Sequence, residues 1–159
     1  MALQFVTKNS FARIDETLTP PGWVSVDGTK TANLDLPYDI GFIGGYDENY
    51  VAEALSVRIY GQMVMGRYGT FVGTVGYLDS GPNGNTIIDI EKNGTSIFST
   101  KPMFLQTNYI SPTIGNGVNE YAFATTSFSP TDRITFKVTA IGNVSMPGTG
   151  MRVILKCKV

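Results

Sequence analysis

Met151-Arg152-Val153-Ile154-Leu155-Lys156-Cys157-Lys158-Val159 alternates apolar and basic side chains almost without interruption. Successive side chains of an extended chain point to opposite sides, so Met151, Val153, Leu155, Cys157 and Val159 share one face. Arg152, Lys156 and Lys158 share the other, beside Ile154. The stretch predicts a strand with one face in a core. Ile134, Phe136, Val138 and Ala140 alternate in the same way with Arg133, Thr135, Lys137 and Thr139, and the turn formers from Gly142 to Gly150 close that pattern. A second half-buried strand is expected there.

Working towards the N-terminus, Leu55, Val57, Ile59 and Met63 alternate with Ser56, Arg58, Tyr60 and Gln62 and predict another strand. Tyr68 to Leu78 is a β-branched and aromatic run whose Gly69, Gly73 and Gly76 point to bulges or close strand approach. Thr86 to Lys92 and Thr95 to Ser99 flank Asn93-Gly94, the dipeptide that best tolerates the positive φ angles of a two-residue type I′ turn. Tyr38 to Tyr46, Pro102 to Gln106 and Glu120 to Phe128 add further candidates. With 18 Gly, 8 Pro, 11% aromatic and only 16% charged residues in 159, the chain reads as all-β: a two-sheet antiparallel sandwich of about eight strands.

The first 36 residues break this pattern. Thr19-Pro20-Pro21-Gly22 and Asp27-Gly28 interrupt any period with turn formers. The expected organisation is an irregular N-terminal arm over residues 1–36 followed by a sandwich domain over 37–159. Phe5, Phe11, Ile14, Leu18 and Trp23 stud the arm, and Phe5, Phe11 and Trp23 are the expected partner-binding residues. The simpler reading, that they cover one end of the sandwich, stays open beside it.

The reactive residue types are scarce. With no His and a single Cys157, neither a Ser-His or Cys-His nucleophile nor a zinc site of His and Cys ligands can be assembled, and no intrachain disulfide can form. Gly41-Phe42-Ile43-Gly44-Gly45 and Gly66 to Gly76 lack the Gly-Lys-Ser/Thr ending of a phosphate loop. Asp89-Ile90-Glu91-Lys92-Asn93-Gly94 opens like a calcium loop but has Thr100 at the twelfth position, where a bidentate Glu is needed. Asp47-Glu48 and the Asp89, Glu91 pair read as solvated faces before they read as glycosidase carboxylates. The expectation is no enzyme, no catalytic residue, no cofactor and no metal. Twelve basic and 13 acidic residues, unclustered, argue against nucleic acid, and no apolar run approaches the ~20 residues of a membrane span. The start Met1-Ala2-Leu3-Gln4-Phe5 lacks the form of a secretory signal, so a product of the cytoplasm is expected.

One long stretch carries a resemblance. Val75-Gly76-Tyr77, then Gly81-Pro82-Asn83-Gly84 and Ile88-Asp89-Ile90-Glu91-Lys92-Asn93-Gly94-Thr95-Ser96-Ile97 with Ser99-Thr100-Lys101, resembles a segment of tailed-bacteriophage structural proteins. There a Pro-x-Gly turn precedes an apolar-Asp-apolar-x-Lys-Asn-Gly-Thr-Ser-Ile hairpin. The likeness continues through Phe128 to Val138, Ile141-Gly142 and Pro147-Gly148-Thr149-Gly150-Met151-Arg152-Val153. Thr107 to Asn119 departs from the pattern, and the chain before about Phe71 has no counterpart in it. The resemblance implies a jelly-roll-like module of the kind found in head decoration (cement) proteins, head fibres and tail adhesins. It implies a place on the virion, at the capsid exterior for a decoration protein, with the major capsid protein and further copies of the chain, as a homotrimer, for partners. The alternative is an adhesin binding host carbohydrate or protein, with Tyr46, Tyr50, Tyr60 and Tyr109 as stacking platforms.

Overall fold

The computed structural model describes residues 4–7, 10–15, 17, 22–24, 30–33, 36–106 and 121–159, and every regular element among them is a strand. The first four are β1 (Gln4–Thr7), β2 (Ser10–Asp15), β3 (Gly22–Val24) and β4 (Lys30–Asn33). Next come β5 (Ile40–Gly44), β6 (Arg58–Val64), β7 (Gly69–Ser80) and β8 (Asn85–Lys92). β9 (Thr95–Ser96), β10 (Phe98–Thr100), β11 (Met103–Leu105), β12 (Ala122–Phe123) and β13 (Ser127–Phe128) are short. The long β14 (Arg133–Ile141) and β15 (Thr149–Lys158) complete the chain.

Two sheets form the sandwich, in the orders β13-β7-β15-β5 and β11-β8-β14-β6, with β9 added beside β8 and β10-β12 as a separate pair. Four strands in each path make eight principal strands, as the alternation predicts. β5 pairs with β15, β6 with β14, β7 with β13 and β8 with β11, all antiparallel. First meets last, second meets seventh, third meets sixth and fourth meets fifth, which is the nested pairing of a jelly roll.

The inner faces supply the core. Ile88, Ile90, Ile134, Phe136, Val138, Val153 and Leu155, the more apolar faces of three alternating strands, are all buried, as are Met151 and Cys157. Phe42 of one sheet stacks on Phe136 of the other, ring centroids 5.0 Å apart. Asn93 and Gly94 have φ of 53° and 86°, and Lys92 pairs with Thr95, so the two-residue hairpin forms as its dipeptide predicts. Close approach is real at Gly69, where a Cβ would lie 2.2 Å from the Lys158 carbonyl oxygen. The ladder shifts beside Gly73, leaving Val72 as an extra residue.

Three local expectations need correction. Leu55 is buried, but Val57 and Ile59 are exposed although they lie on its expected face. The strand starts only at Arg58, and the ladder steps from Phe136 opposite Gly61 to Lys137 opposite Ile59. Tyr60 is the extra residue, and one inserted residue turns every side chain beyond it to the other face. Glu120 to Phe128 is not one strand: the amides of Ala124 and Thr125 both donate to the Ile97 carbonyl, and the chain crosses there from β12 to β13. Lastly, the segment before Leu36 is more regular than an irregular arm. β1 to β4 pair in sequence as an antiparallel meander. Short strands of three to six residues carry too little period to read against the turn formers between them. Leu36 ties the segment to the sandwich by exchanging backbone hydrogen bonds with Val159, 2.9 Å each way.

Ile134 has no exposed surface and sits in the ladder between Met63 and Lys92. Ile134→Ala is expected to cost about 2 to 5 kcal/mol through lost burial and the cavity left behind. Urea unfolding followed by tyrosine fluorescence and circular dichroism measures it; a loss below about 1 kcal/mol would contradict the core position.

Candidate interaction surface

Alternation that buries one side of β5, β15 and β7 turns the other side outward, and on this sheet the outward side is largely apolar. Register places Ile43, Arg152 and Tyr77 in one row across the three strands, and Gly41, Ile154 and Val75 in the next. Ile43 is 69% exposed, and Ile154, Val75 and Tyr77 are each about two-fifths exposed. Between the two rows lies an open depression of about 270 Å³, lined by Val75, Gly76, Tyr77, Arg152 and Ile154. A contiguous apolar patch of this kind differs from the scattered surface hydrophobics that any protein carries.

Polar residues hold one edge of this face in place. Arg152 Nη1 donates to Asp79 Oδ1 at 2.5 Å, the Tyr46 hydroxyl donates to Asp79 Oδ2 at 2.8 Å, and the guanidinium lies over the Tyr46 ring, 4.9 Å from its centroid. Gly150 makes this approach possible: a Cβ there would stand 2.5 Å from Asp79 Oδ2 and 2.8 Å from the Tyr46 oxygen. Hydrogen bonds from Arg152 and Tyr46 hold the Asp79 carboxyl below its ordinary range. Burial, with the Asp79 carboxylate adding to it, pushes the Tyr46 hydroxyl up.

Tyr46 also begins a tight loop. It bridges to Ala52, the Asp47 amide donates to the Val51 carbonyl at 3.0 Å, and Asp47 Oδ1 accepts from the amides of Asn49 and Val51, both at 2.8 Å. At the tip Tyr50 holds φ at 61° and is 87% exposed, next to Val51 at 61%. A residue with a Cβ adopts this left-handed conformation only where the surrounding bonds impose it.

The β8–β14 side of the other sheet is polar and internally matched. Lys137 pairs with Glu91, and the buried Asp89 accepts from the Ser96 hydroxyl at 2.6 Å and from Lys101 Nζ at 2.8 Å. The calcium-like stretch thus has both its carboxylates engaged by the chain's own donors. Asp132 Oδ2 accepts from the Ser129 amide and Asp132 Oδ1 from the Asn93 side chain, clamping the hairpin turn to the start of β14. Burial pushes the Asp132 carboxyl up, but these bonds and nearby Lys92 outweigh it and leave it below its ordinary range.

Of the expected partner-binding residues, Phe5 stands opposite Ala12, Phe11 opposite Val6, and Trp23 opposite Ile14 and Ala32 in the N-terminal meander. Their side chains lie outside the described part of the structure, as do Leu18, Tyr109 and the departing stretch from Thr107 to Asn119. Tyr46 and Tyr60 are only half-buried and serve their own chain: Tyr60 accepts a hydrogen bond from the Ser56 amide at 2.8 Å. The sheet face was missed from sequence, although Ile154 among basic residues was its signal. Neither the models of known protein families nor the curated proteins match this chain.

Cys157 is buried, and desolvation, with Asp39 adding to it, pushes its thiol up to about 12. A disulfide-exchange reagent at pH ~8 is expected to leave the folded protein unmodified and to titrate one thiol after denaturation. Rapid reaction of the native protein would place Cys157 at the surface.

Asp79 and Asp132 give a second expectation. Both carboxyls are depressed in the fold, so their stabilisation is complete above the ordinary carboxylate range and is lost as pH falls below about 4, where the unfolded chain binds more protons. Urea midpoints measured from pH ~6 down to ~2 are expected to fall more steeply for the wild type than for Asp132→Asn. Parallel curves would remove Asp132 from the acid response.

Proposed function

We propose that this chain is a non-enzymatic structural subunit of a tailed-phage virion that binds and stabilises the head lattice as a decoration or cement protein. The virion part of the reading rests on the sequence resemblance from Val75 to Leu155. The observation that carries the attachment part is the N-terminal meander. β1 to β4 form a sheet of their own, whereas the described core is built from residues 40 to 157. A segment that the sandwich core does not include is suited to reach a neighbouring subunit, and Phe5, Phe11 and Trp23 are the large apolar residues it brings. The partner in this reading is the major capsid protein. Identical subunits set on a lattice combine modest contacts into tight attachment.

Removal of residues 1–35 tests the reading, since Leu36 and its bonds to Val159 are kept. The truncated protein is expected to give a cooperative melt and to lose at least tenfold in affinity for mature heads of the encoding phage in co-sedimentation. Undiminished head binding by the truncated protein would remove the meander from attachment. Full-length protein that binds host envelopes and not heads would replace decoration with an adhesin role.

A further inference from the structure

We infer that the Tyr50 loop of one copy docks in the depression between β7 and β15 of a second copy. The contact is one between copies of this chain and does not depend on what the assembly is mounted on.

The two surfaces fit in size, in polarity and in charge. The depression is apolar along Val75, Tyr77 and Ile154, and its volume of about 270 Å³ exceeds the ~150 Å³ of an apolar cavity that accepts a benzene ring. The loop tip offers one aromatic ring, Tyr50, with Val51 beside it, and these are the most exposed apolar pair in any described loop between Ile40 and Leu78. Among the described residues, one cation stands free beside the depression. Arg152 lines it but is neutralised by Asp79, whereas exposed Lys156 follows on the same side of β15, two residues or roughly 7 Å beyond Ile154. Lys156 has no carboxylate partner among the described residues. The tip is acidic: Asp47 and the exposed Glu48 precede Tyr50. An apolar knob with the Glu48 carboxylate beside it thus meets an apolar hole with the Lys156 ammonium beside it, the complementarity that sets register between subunits.

The loop cannot fill the depression of its own chain. Tyr46 anchors its base on Arg152 at the edge of that depression, and the bonds from Asp47 to Asn49 and Val51 hold the tip rigid with Tyr50 in solvent. Holding the ring in an unfavourable backbone conformation pre-arranges it for an outside partner, so little ordering remains to be done on contact. The surrounding face has the scale of a small interface. Strands of 12, 10, 5 and 2 residues at ~3.4 Å rise and ~4.8 Å spacing give a flat projection of roughly 470 Å², over half of the ~800 Å² per partner of a standard interface.

Sedimentation velocity on the full chain tests the contact. The wild type is expected to form one discrete oligomer at ~10 to 100 µM. Tyr50→Gly removes the ring while easing the positive φ, so the loop keeps its shape, and self-association is expected to weaken at least tenfold. Glu48→Lys and Lys156→Glu change exposed side chains, and each alone is expected to weaken it about threefold to tenfold; the double variant is expected to recover most of the loss. A monomeric wild type, an oligomer indifferent to Tyr50→Gly, or a double charge reversal no better than the single ones would each overturn the contact. Self-association of the protein lacking residues 1–35 separates the two readings, because the Tyr50 loop and the depression lie wholly within the retained residues.

Discussion

Phe42 stacked on Phe136 is the contact through which the two sheets become one sandwich. The rings lie 5.0 Å apart and 20° from parallel, one from β5 at the edge of its sheet and one from β14 in the interior of the other. That stack needs space, and Gly61 provides it: opposite Phe136 in the ladder, a Cβ at this position would stand 3.2 Å from the Phe42 ring. The bulged residue, Tyr60, is next to Gly61 along β6. Beyond it Ile59 faces outward, and Tyr60 lies against Gly44 of the other sheet, where a Cβ would collide with the tyrosine ring.

The outward sides of the two sheets contrast because their polar residues are placed differently. Along β8 and β14, polar side chains alternate with the core residues and find partners within the chain: Glu91 with Lys137, and Asp89 with Ser96 and Lys101. Every buried polar side-chain atom among the described residues has a partner. Where such groups are matched, the surface gains little by docking on anything else. Along β5, β15 and β7 Arg152 is taken up by Asp79, Lys156 and Lys158 lie towards the end of β15, and Ile43, Val75, Tyr77 and Ile154 stay exposed around Arg152. Covering these residues would release water from apolar area, so this face has the most to gain from a partner.

Two exposed turns are tied down by carboxylates. The Tyr46 loop and the Asp132 clamp both use a carboxylate to tie down backbone amides of a turn, and both lie beside a non-glycine residue with positive φ, Tyr50 and Thr131. Jelly-roll strands wind around the sandwich and expose their connections at its ends. Loops fixed in this way present a defined shape to a neighbour without an ordering cost on contact.

Alternation in β14 and β15, the Asn93-Gly94 turn and the scarcity of helix-length patterns determined the all-β sandwich, its eight principal strands and most of its core from sequence alone. These signals are local: a side chain's face follows from its parity along a strand, and a type I′ turn follows from two residues that tolerate positive φ. Where a partner strand intervenes, parity stops being informative. Ile59 reads as core and lies outside because of a bulge set against β14, and the meander over Gln4–Asn33 is invisible because its strands are too short to show a period. Ile154 could be read only as an exception among basic residues. Only the pairing of β15 with β7 and β5 put it beside Val75 and one row from Ile43 and Tyr77, because a surface is made of neighbours across strands and a sequence lists neighbours along one.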